Sequence, residues 1–269
     1  MKVLQDKYIK LQKILSELES VVVAFSGGVD STLLLKVAID VLGSDKVIAV
    51  TTDSESYPSS ELVLAKQTAK KIGAKHIVIE TSELAIPGYK ENTKNRCYFC
   101  KKGLFEELAP IQLKHGFKHI VFGLIADDTN DYRPGVKAAK EHGVRAPLQE
   151  AGLFKGEIRE LSKQLELETW DKPSSACLSS RIAYGEEITV KKLTRVEQSE
   201  EYLKRLGFRQ VRVRTHGDIA RIEVEPDKLS KIVEMHQEIA SKLHSFGFDY
   251  VTADLEGFRS GSMNKLLQR

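Results

Sequence analysis

The fold class can be inferred from one segment, Val21-Val22-Val23-Ala24-Phe25-Ser26-Gly27-Gly28-Val29-Asp30-Ser31. Its first five residues are apolar and rich in valine, which predicts a buried strand of a parallel sheet. Residues 33–42 are apolar at helical spacing and predict the helix that follows. The loop between them contains two glycines and two serines, so its backbone N–H groups and the helix dipole would face an anion. We expect that anion to be a phosphate.

This loop is neither a Walker A motif nor a dinucleotide fingerprint, because the G-x-x-x-x-G-K and G-x-G-x-x-G spacings are absent. It resembles the SGGxDS signature of the PP-loop ATP pyrophosphatases, which cleave ATP between the α and β phosphates. A polar turn without a ligand is the alternative. The resemblance implies that Asp30 binds Mg²⁺ or orients the loop, although an acidic residue is also common in a first helical turn. The residues that it implies for pyrophosphate binding are Ser26, Gly27, Gly28, Asp30 and Ser31.

Composition places the chain among soluble globular proteins of one or two domains, with 269 residues, 41% hydrophobic and 29% charged. No apolar stretch approaches the ~20 residues that span a bilayer. Residues 1–20 read as an amphipathic helix without the apolar core of a signal peptide, so we expect a cytoplasmic protein without membrane partners. A net charge of +3 without blocks of like charge argues against a nucleic-acid partner.

Strand and helix patterns alternate through the first half. This order predicts an α/β domain whose parallel sheet is covered on both faces, with ligands beyond the carboxyl ends of the strands. Thr52 and Ser54 follow the second strand and are expected to line an adenosine pocket. Asp127, Asp128 and Asp131 follow the fourth strand and either bind Mg²⁺ or ribose or cap a turn. The predicted strands are 21–25, 47–51, 76–80 and 119–123, and the predicted helices are 31–42, 59–71 and 98–115.

In the second half of the chain, the pattern of predicted helices and strands changes after an irregular segment at 171–185. A helix at 187–206, strands at 211–215 and 219–224, a helix at 227–246 and a strand at 250–255 predict a smaller α+β domain. We therefore expect a PP-loop domain at 1–180 and a domain for substrate binding or oligomerisation at 181–269. A homo-oligomer is expected.

The chain contains three cysteines, Cys97, Cys100 and Cys177. A small odd number in a cytoplasmic chain argues against structural disulfides. Cys97 and Cys100 form a C-x-x-C pair at the start of a predicted helix, which is a position typical of reactive thiols. Three thiolates without a fourth protein ligand suit a [4Fe–4S] cluster with one open iron. Redox or persulfide chemistry, a zinc site completed by a histidine, and incidental thiols are the alternatives.

Further motifs along the whole chain resemble one PP-loop family, the sulfur transferases that make the nickel-pincer nucleotide cofactor. The resemblance implies that the enzyme adenylates a carboxylate of a pyridinium dicarboxylate mononucleotide and replaces the activated oxygen with sulfur, giving a thiocarboxylate. The motifs are AFSGGVDSTLLLK at 24–36, NDYRPG at 130–135, LQEAGLFK at 148–155, SSR at 179–181, VRVR-HGDIARIE at 211–223 and DLEGFRSGSMN at 254–264.

The cysteines separate this chain from part of that family. Some members sacrifice one cysteine in the loop before SSR and leave dehydroalanine; that position aligns with Ala176 here, and the thiol lies at Cys177. Other members carry three cysteines, thought to hold a [4Fe–4S] cluster that delivers sulfide. This chain resembles the latter, which implies Cys97, Cys100 and Cys177 as metal ligands, Cys177 as a catalytic residue and a separate sulfide or persulfide source.

Adenylation needs positive charge around the phosphates, because the carboxylate is already a nucleophile. The candidates for this role are Lys101, Arg181, Arg212 and Arg214; Lys101 and Asp30 are the expected catalytic residues at the phosphates. Arg212 and Arg214 alternate on one predicted strand and so share a face that suits a phosphate or carboxylate, unless that face is simply solvated. Ser180 and Arg181 could complete the same anion site. Glu200 and Glu223 are candidate metal or interface acids, although a solvated helix explains Glu200 equally well.

Three other functions compete with this hypothesis. The first is tRNA 2-thiolation, because PP-loop enzymes of that class can also combine a C-x-x-C with a distant cysteine. The second is an amide-forming PP-loop ligase, which would give the cysteines no task. The third is a nucleotide sensor without enzymatic activity.

Overall fold

The computed structural model describes residues 2–130, 134–259 and 261–263, without the side chains of Thr129 and Asn130. Candidate Asp131 therefore lies outside the described residues. The chain forms two compact units, one of Met1–Ser82 with Cys97–Ser174 and the other of Glu83–Arg96 with Ser175–Arg269. The expected domain boundary at 180/181 lies beyond this division at Ser174, and the sequence did not indicate that residues 83–96 join the second unit.

The first unit contains a four-stranded parallel sheet in the order β3-β2-β1-β4. The strands are β1 (Val21–Ala24), β2 (Val47–Asp53), β3 (Lys75–Glu80) and β4 (His119–Phe122). This confirms the predicted α/β class and the four predicted strands. The helices are α1 (Lys2–Leu18), α2 (Val29–Leu42), α3 (Ser59–Ile72), α4 (Arg96–His115), α5 (Pro134–Glu141), α6 (Pro147–Glu150) and α7 (Lys155–Gln164).

Alternation along the strands builds two cores, one on each face of the sheet. Val21 and Val23 of β1 belong to the core formed with α1, α2, α3 and α7. Val22 points to the opposite face and belongs to the core that contains Phe105 of α4 and Ala138 of α5. Because both faces are buried, the strands read as continuous apolar runs, which is why the sequence revealed them.

Topology places the loop after β1 at the point where strand order reverses. From β1 the chain proceeds through α2 to β2 on one side, whereas β4 pairs with β1 on the other side. Ligands of open parallel sheets bind in the crevice at such a switch point, outside the carboxyl ends of the strands. The SGGVDS loop occupies this position.

The second unit contains a three-stranded sheet in the order β5-β6-β7, antiparallel between β5 and β6 and parallel between β6 and β7. The single helix expected at 227–246 is wrong, because a 3₁₀ turn (Pro226–Lys228) precedes two helices that meet at Met235, whose φ of −98° and ψ of 15° interrupt the helix. The elements are α8 (Val190–Arg205), β5 (Val211–His216), β6 (Ile219–Val224), α9 (Leu229–Glu234), α10 (His236–Ser245) and β7 (Tyr250–Ala253).

Among the described residues, no helix combines the length and the apolar character that crossing a membrane requires.

Candidate functional site

The loop between β1 and α2 has a backbone shape that only glycine adopts easily at one position. Gly27 has φ of +61°, and a Cβ there would lie 2.9 Å from the Cα of Ala65 in α3. Gly28 precedes α2 without a side-chain cap, so the first N–H groups of the helix are not capped by that residue. The hydroxyls of Ser26 and Ser31 lie 3.1 Å apart. The loop thus presents backbone and hydroxyl donors at a helix N-terminus, which is the arrangement that binds phosphate.

Two side chains bind the carbonyl oxygens of this loop. The Tyr57 hydroxyl donates to the Ser26 carbonyl at 2.9 Å, and Lys172 Nζ donates to the Gly27 carbonyl at 2.9 Å. Lys172 also pairs with Glu61 of α3 at 2.8 Å. Burial raises the pKa of Tyr57, and the carboxylates of Glu61 and Asp53 raise it further, so the hydroxyl keeps its proton. No motif in the sequence points to Tyr57, Glu61 or Lys172 as parts of this site.

Asp30 lies in the first turn of α2 and is ion-paired. Both of its oxygens contact Lys155 Nζ, at 2.7 and 2.8 Å. Lys155 begins α7, and its backbone N–H donates to the Asp127 carboxylate at 2.8 Å. Lys155 lies inside the LQEAGLFK motif, which was the signal that could have identified it.

The loop after β4 contacts the phosphate loop directly. A Cβ at Gly123 would lie 3.1 Å from the Ser31 backbone nitrogen. Asp128 is buried and accepts a hydrogen bond from the Ile125 N–H at 3.0 Å, which is the turn-capping geometry. Asp127 and Asp128 therefore both contribute to local structure beside the loop.

Thr52 and Ser54, the candidates at the end of β2, follow Thr51, whose side chain is hydrogen-bonded to neighbouring strands. The Thr51 hydroxyl donates to the Phe25 carbonyl at 2.7 Å and lies 2.8 Å from His76 Nε2, which joins β1, β2 and β3. Burial lowers the pKa of His76 and so favours its neutral form. Thr52 follows within β2, and Ser54 follows the strand. Both are partly exposed at the carboxyl edge of the sheet.

The first turns of α4 hold Cys97, Cys100 and Lys101, with Cys97 exposed and Cys100 half-buried. The start of α5 packs against them at Gly135. A Cβ there would lie 2.8 Å from Lys101 Cγ and 3.4 Å from the Cys97 carbonyl oxygen. The position of the Lys101 side chain therefore depends on a glycine in the next helix.

In the second unit, Arg181 and Glu200 form a buried bidentate ion pair, with distances of 2.8 and 2.9 Å. Arg181 is 1% exposed and its Nη1 also donates to the carbonyls of Ala176 and Cys177. Although burial raises the pKa of Glu200, Arg181 outweighs that effect and the pKa is lowered. Glu200 is therefore not on a solvated helix face. Arg181 fixes the backbone that carries Cys177.

Arg214 and Glu223 form a second buried pair, in which Arg214 Nη2 and Nε contact one glutamate oxygen at 2.9 and 3.0 Å. Arg214 also donates to the Ser180 carbonyl at 3.0 Å. Arg212 is 6% exposed, and burial, followed by the charge of Arg181, lowers its pKa to about 10. The predicted pair of strand arginines thus lies in the interior, and the alternative of a solvated strand face does not apply.

Residues 83–96, which carry no recognisable motif, hold the segment with Cys177. The Tyr89 hydroxyl lies 2.7 Å from the Ser179 hydroxyl, and Arg96 Nη1 donates to the Ser179 carbonyl at 2.9 Å. Asn92 donates to the Ala183 carbonyl at 2.8 Å. These partners are about ninety positions apart in the chain, and a local pattern carries no signal for such contacts.

The structure thus brings the predicted residues into separate groups. The first consists of the phosphate-loop residues Ser26, Gly27, Gly28, Asp30 and Ser31. The second consists of Ser180, Arg181, Arg212 and Arg214 with Cys177. The described part of the chain contains no group of three or more His, Cys, Asp or Glu side chains that could hold a metal ion.

Comparison with known proteins gives matches of two kinds. The sequence profile of the NAD synthase family matches residues 4–103, the part that contains the phosphate loop. An uncharacterized protein of Synechocystis sp. is 47% identical over 99% of this chain and 100% of its own length. The pyridinium-3,5-bisthiocarboxylic acid mononucleotide synthase of Lactiplantibacillus plantarum is 42% identical over 100% of this chain and 98% of its own. An uncharacterized protein of Methanocaldococcus jannaschii is 32% identical over 94% and 98%.

Proposed function

Because the chain belongs to the family of the pyridinium-3,5-bisthiocarboxylic acid mononucleotide synthases, we propose that it is an ATP-dependent sulfurtransferase. A carboxylate of pyridinium-3,5-biscarboxylic acid mononucleotide attacks the α-phosphate of ATP, so that an acyl adenylate forms and pyrophosphate leaves. Sulfide then attacks the acyl carbon, AMP leaves, and a thiocarboxylate results. The observation that carries the proposal is the SGGVDS loop at the switch point of the sheet, in a chain similar to the synthase over its full length.

ATP is assigned to the first unit. The backbone N–H groups of the loop and the hydroxyls of Ser26 and Ser31 bind the pyrophosphate part, supported by the dipole of α2. Thr52 and Ser54, at the carboxyl edge of β2, line the adenosine pocket. Lys101 is the proposed catalytic cation that offsets charge at the α-phosphate.

Asp30 is the residue that would hold Mg²⁺. Magnesium in nucleotide sites needs one or two carboxylates together with phosphate oxygens, so a single acid at the loop fits it. The ion would supply positive charge to the phosphates. Lys155, at 2.7 Å from Asp30, supplies positive charge at the same carboxylate.

The substrate anion is assigned to the second unit. Arg212 and Arg214 are buried on β5, and the charge of Arg181 acts on Arg212. A guanidinium group binds phosphate and carboxylate in a bidentate manner. We assign Arg212, Arg214 and Ser180 to substrate binding. Arg181 holds the Cys177 segment, because its N–H groups are directed to Glu200 and to the residues of that segment.

The sulfur chemistry is assigned to the three cysteines, none of which forms a disulfide. The finer hypothesis is a [4Fe–4S] cluster on Cys97, Cys100 and Cys177 that delivers sulfide. Such a cluster needs thiolate ligands on its irons, which these three cysteines would supply. The cluster stays a prediction, which iron and acid-labile sulfide analysis of anaerobically purified protein tests; less than about one iron per chain in active protein contradicts it.

The proposed activity is tested with anaerobically purified protein, Mg²⁺, ATP, sulfide and the pyridinium dicarboxylate mononucleotide. We expect pyrophosphate and AMP in amounts that depend on this substrate, and a product with the mass of an oxygen-to-sulfur exchange. A Cys177→Ser variant should still release pyrophosphate but form no thiocarboxylate. Pyrophosphate release that requires tRNA, or that occurs without any thiolated product, contradicts the proposal. The cytoplasmic location and the homo-oligomer stay predictions.

A further inference from the structure

We propose that Lys172, together with Tyr57, is a positioning residue that orients two peptide groups of the phosphate loop toward pyrophosphate. The inference deepens the proposed function and rests on ATP binding at this loop. Lys172 belongs to the irregular segment that precedes Cys177, and the mechanism above gives it no task. Its ammonium group contacts the Gly27 carbonyl at 2.9 Å, whereas Tyr57 contacts the neighbouring Ser26 carbonyl at 2.9 Å.

Because a peptide group is planar, these two contacts determine the direction of the N–H groups of Gly27 and Gly28. A trans peptide is planar, and its C=O and N–H bonds point in opposite directions. The Ser26 carbonyl shares a peptide with the Gly27 N–H, and the Gly27 carbonyl shares one with the Gly28 N–H. Because both oxygens are bound by Tyr57 and Lys172, both N–H groups point away from these side chains. Both side chains lie near Glu61, which pairs with Lys172 and whose charge acts on Tyr57. The two successive N–H groups are therefore turned to the opposite side, where they form a concave anion site.

The hydrogen bonds within the loop reach other groups than these two carbonyls: the Ser31 hydroxyl accepts from the Ser26 N–H and donates to the Gly28 carbonyl, each at 3.3 Å. Glycine adopts positive and negative φ almost equally well, so a Gly-Gly pair has many accessible conformations. Gly27 packs against Ala65 in its φ +61° conformation, which restricts the loop from one side only. A hydrogen-bond donor at each of the two carbonyl groups restricts the loop to one conformation before the ligand binds. Such preorganisation improves affinity, because less conformational entropy is lost on binding.

Lys172 is itself firmly held. Arg159 of α7 donates to the carbonyls of Trp170 and Lys172, each at 2.7 Å. The Lys172 ammonium pairs with Glu61, and the two side chains are only 14% and 10% exposed. The lysine is therefore fixed at its backbone by α7 and at its tip by α3. Such a fixed cation also polarises the Gly27–Gly28 peptide and strengthens its N–H as a donor.

The test compares the affinity of Lys172→Met and Lys172→Arg for ATP, magnesium pyrophosphate and AMP by isothermal titration calorimetry. We expect Lys172→Met to weaken ATP and pyrophosphate binding by about tenfold or more, the effect of losing a charged hydrogen bond. AMP binding should not change, because AMP lacks the phosphates that this loop holds. Lys172→Arg keeps a charged donor and should recover part of the loss.

Lys71→Met provides the matched control. Lys71 also lies in the first unit and pairs with Glu168 at 2.6 Å, but these side chains are 61% and 74% exposed. Its substitution should leave all three affinities unchanged. Tyr57→Phe removes a single hydroxyl and should weaken pyrophosphate and ATP selectively, so it decides the question if Lys172→Met does not fold.

Two results overturn the positioning role: equal weakening of ATP and AMP, or unchanged pyrophosphate affinity in folded Lys172→Met and Tyr57→Phe. The failure of the proposed function looks different, because wild-type protein would then either bind no ATP or release pyrophosphate without a thiolated product.

Discussion

At the scale of single residues, Gly27 meets two independent requirements. Its φ of +61° disfavours any residue with a side chain, and the space where a Cβ would lie is taken by Ala65. Strain alone at such a position costs about 1 kcal/mol. In addition, a Cβ at Gly27 would collide with Ala65 and displace the phosphate loop from α3. This displacement would change the ligand site itself.

We therefore predict that Gly27→Ala abolishes ATP binding, measured by calorimetry, while the protein stays folded. Gly43→Ala is the control, because Gly43 has φ of +82° and no atom within 4 Å of the added Cβ. It should lower the free energy of unfolding by about 1 kcal/mol through strain and leave ATP affinity unchanged. Equal ATP affinity in the two variants would contradict the role of the Ala65 contact.

The buried pair of Arg181 and Glu200 predicts a large loss of stability when one partner is removed. Glu200→Gln leaves the Arg181 guanidinium buried without its carboxylate, so we expect the free energy of unfolding to fall by about 3–5 kcal/mol. Urea denaturation at pH 7 measures this effect. Glu187→Gln, at a side chain 61% exposed, is the control and should change stability by less than about 0.5 kcal/mol.

The same pair predicts a pH dependence. The pKa of Glu200 is lowered in the folded protein by Arg181, despite the opposing effect of burial. Its contribution to stability is therefore complete above the pKa of the unfolded state and is lost as the pH falls toward the folded pKa. The stability difference between wild type and Glu200→Gln should shrink on acidification from pH 7. A difference that grows toward acid pH contradicts this sign.

At the scale of elements, the start of α5 determines where the Lys101 side chain lies. Gly135 is the second residue of α5, and it leaves room for Lys101 Cγ of α4 at 2.8 Å from the position of a Cβ. Since Cγ is close to the backbone, the whole lysine side chain must move if this space is filled. Helix packing therefore positions a residue that is proposed to act on ATP.

We predict that Gly135→Ala slows pyrophosphate release while the protein stays folded, as measured by a continuous pyrophosphate assay. Gly156→Ala is matched, because Gly156 is also the second residue of a helix and nothing lies within 4 Å of its added Cβ. That control should keep full activity and gain about 0.5–1 kcal/mol of stability from helix propensity. Full activity of Gly135→Ala would show that Lys101 does not need its observed position.

At the scale of the whole molecule, the second unit is built from two separate segments of chain. Residues 83–96 contribute Tyr89, Asn92 and Arg96, which are buried and bind the segment at 179–183. A domain cut at residue 181 would lose these partners. It would also lose the Ser180 carbonyl that accepts a hydrogen bond from Arg214.

We predict that the fragment 181–269 lacks a cooperative urea transition followed by circular dichroism. The control fragment joins residues 83–96 to 175–269 through a flexible Gly-Ser linker and should unfold cooperatively, because the buried partners of Asn92 and Arg214 are restored. A cooperative transition of the same midpoint in both fragments would show that residues 83–96 are dispensable for folding.

The sequence by itself determined the α/β class, the four parallel strands and the phosphate loop. Each of these depends on local patterns, namely the apolar run at 21–25, the helical spacing after it and the glycines between. It also placed Arg212 and Arg214 on one strand face, since alternation is a local property. The split at Met235 was missed, because the apolar spacing continues across it.

The surroundings of these residues depend on contacts between distant parts of the chain. Lys172 lies 145 positions from Gly27 and Lys155 lies 125 positions from Asp30, yet each pair is in hydrogen-bond contact. The burial of Arg212, and the pairing of Arg181 with Glu200, likewise depend on which elements pack together. The periodicity of apolar residues reports only on neighbouring residues within one helix or strand. The partners of a charged side chain, in contrast, are determined by contacts between segments that are distant in the sequence.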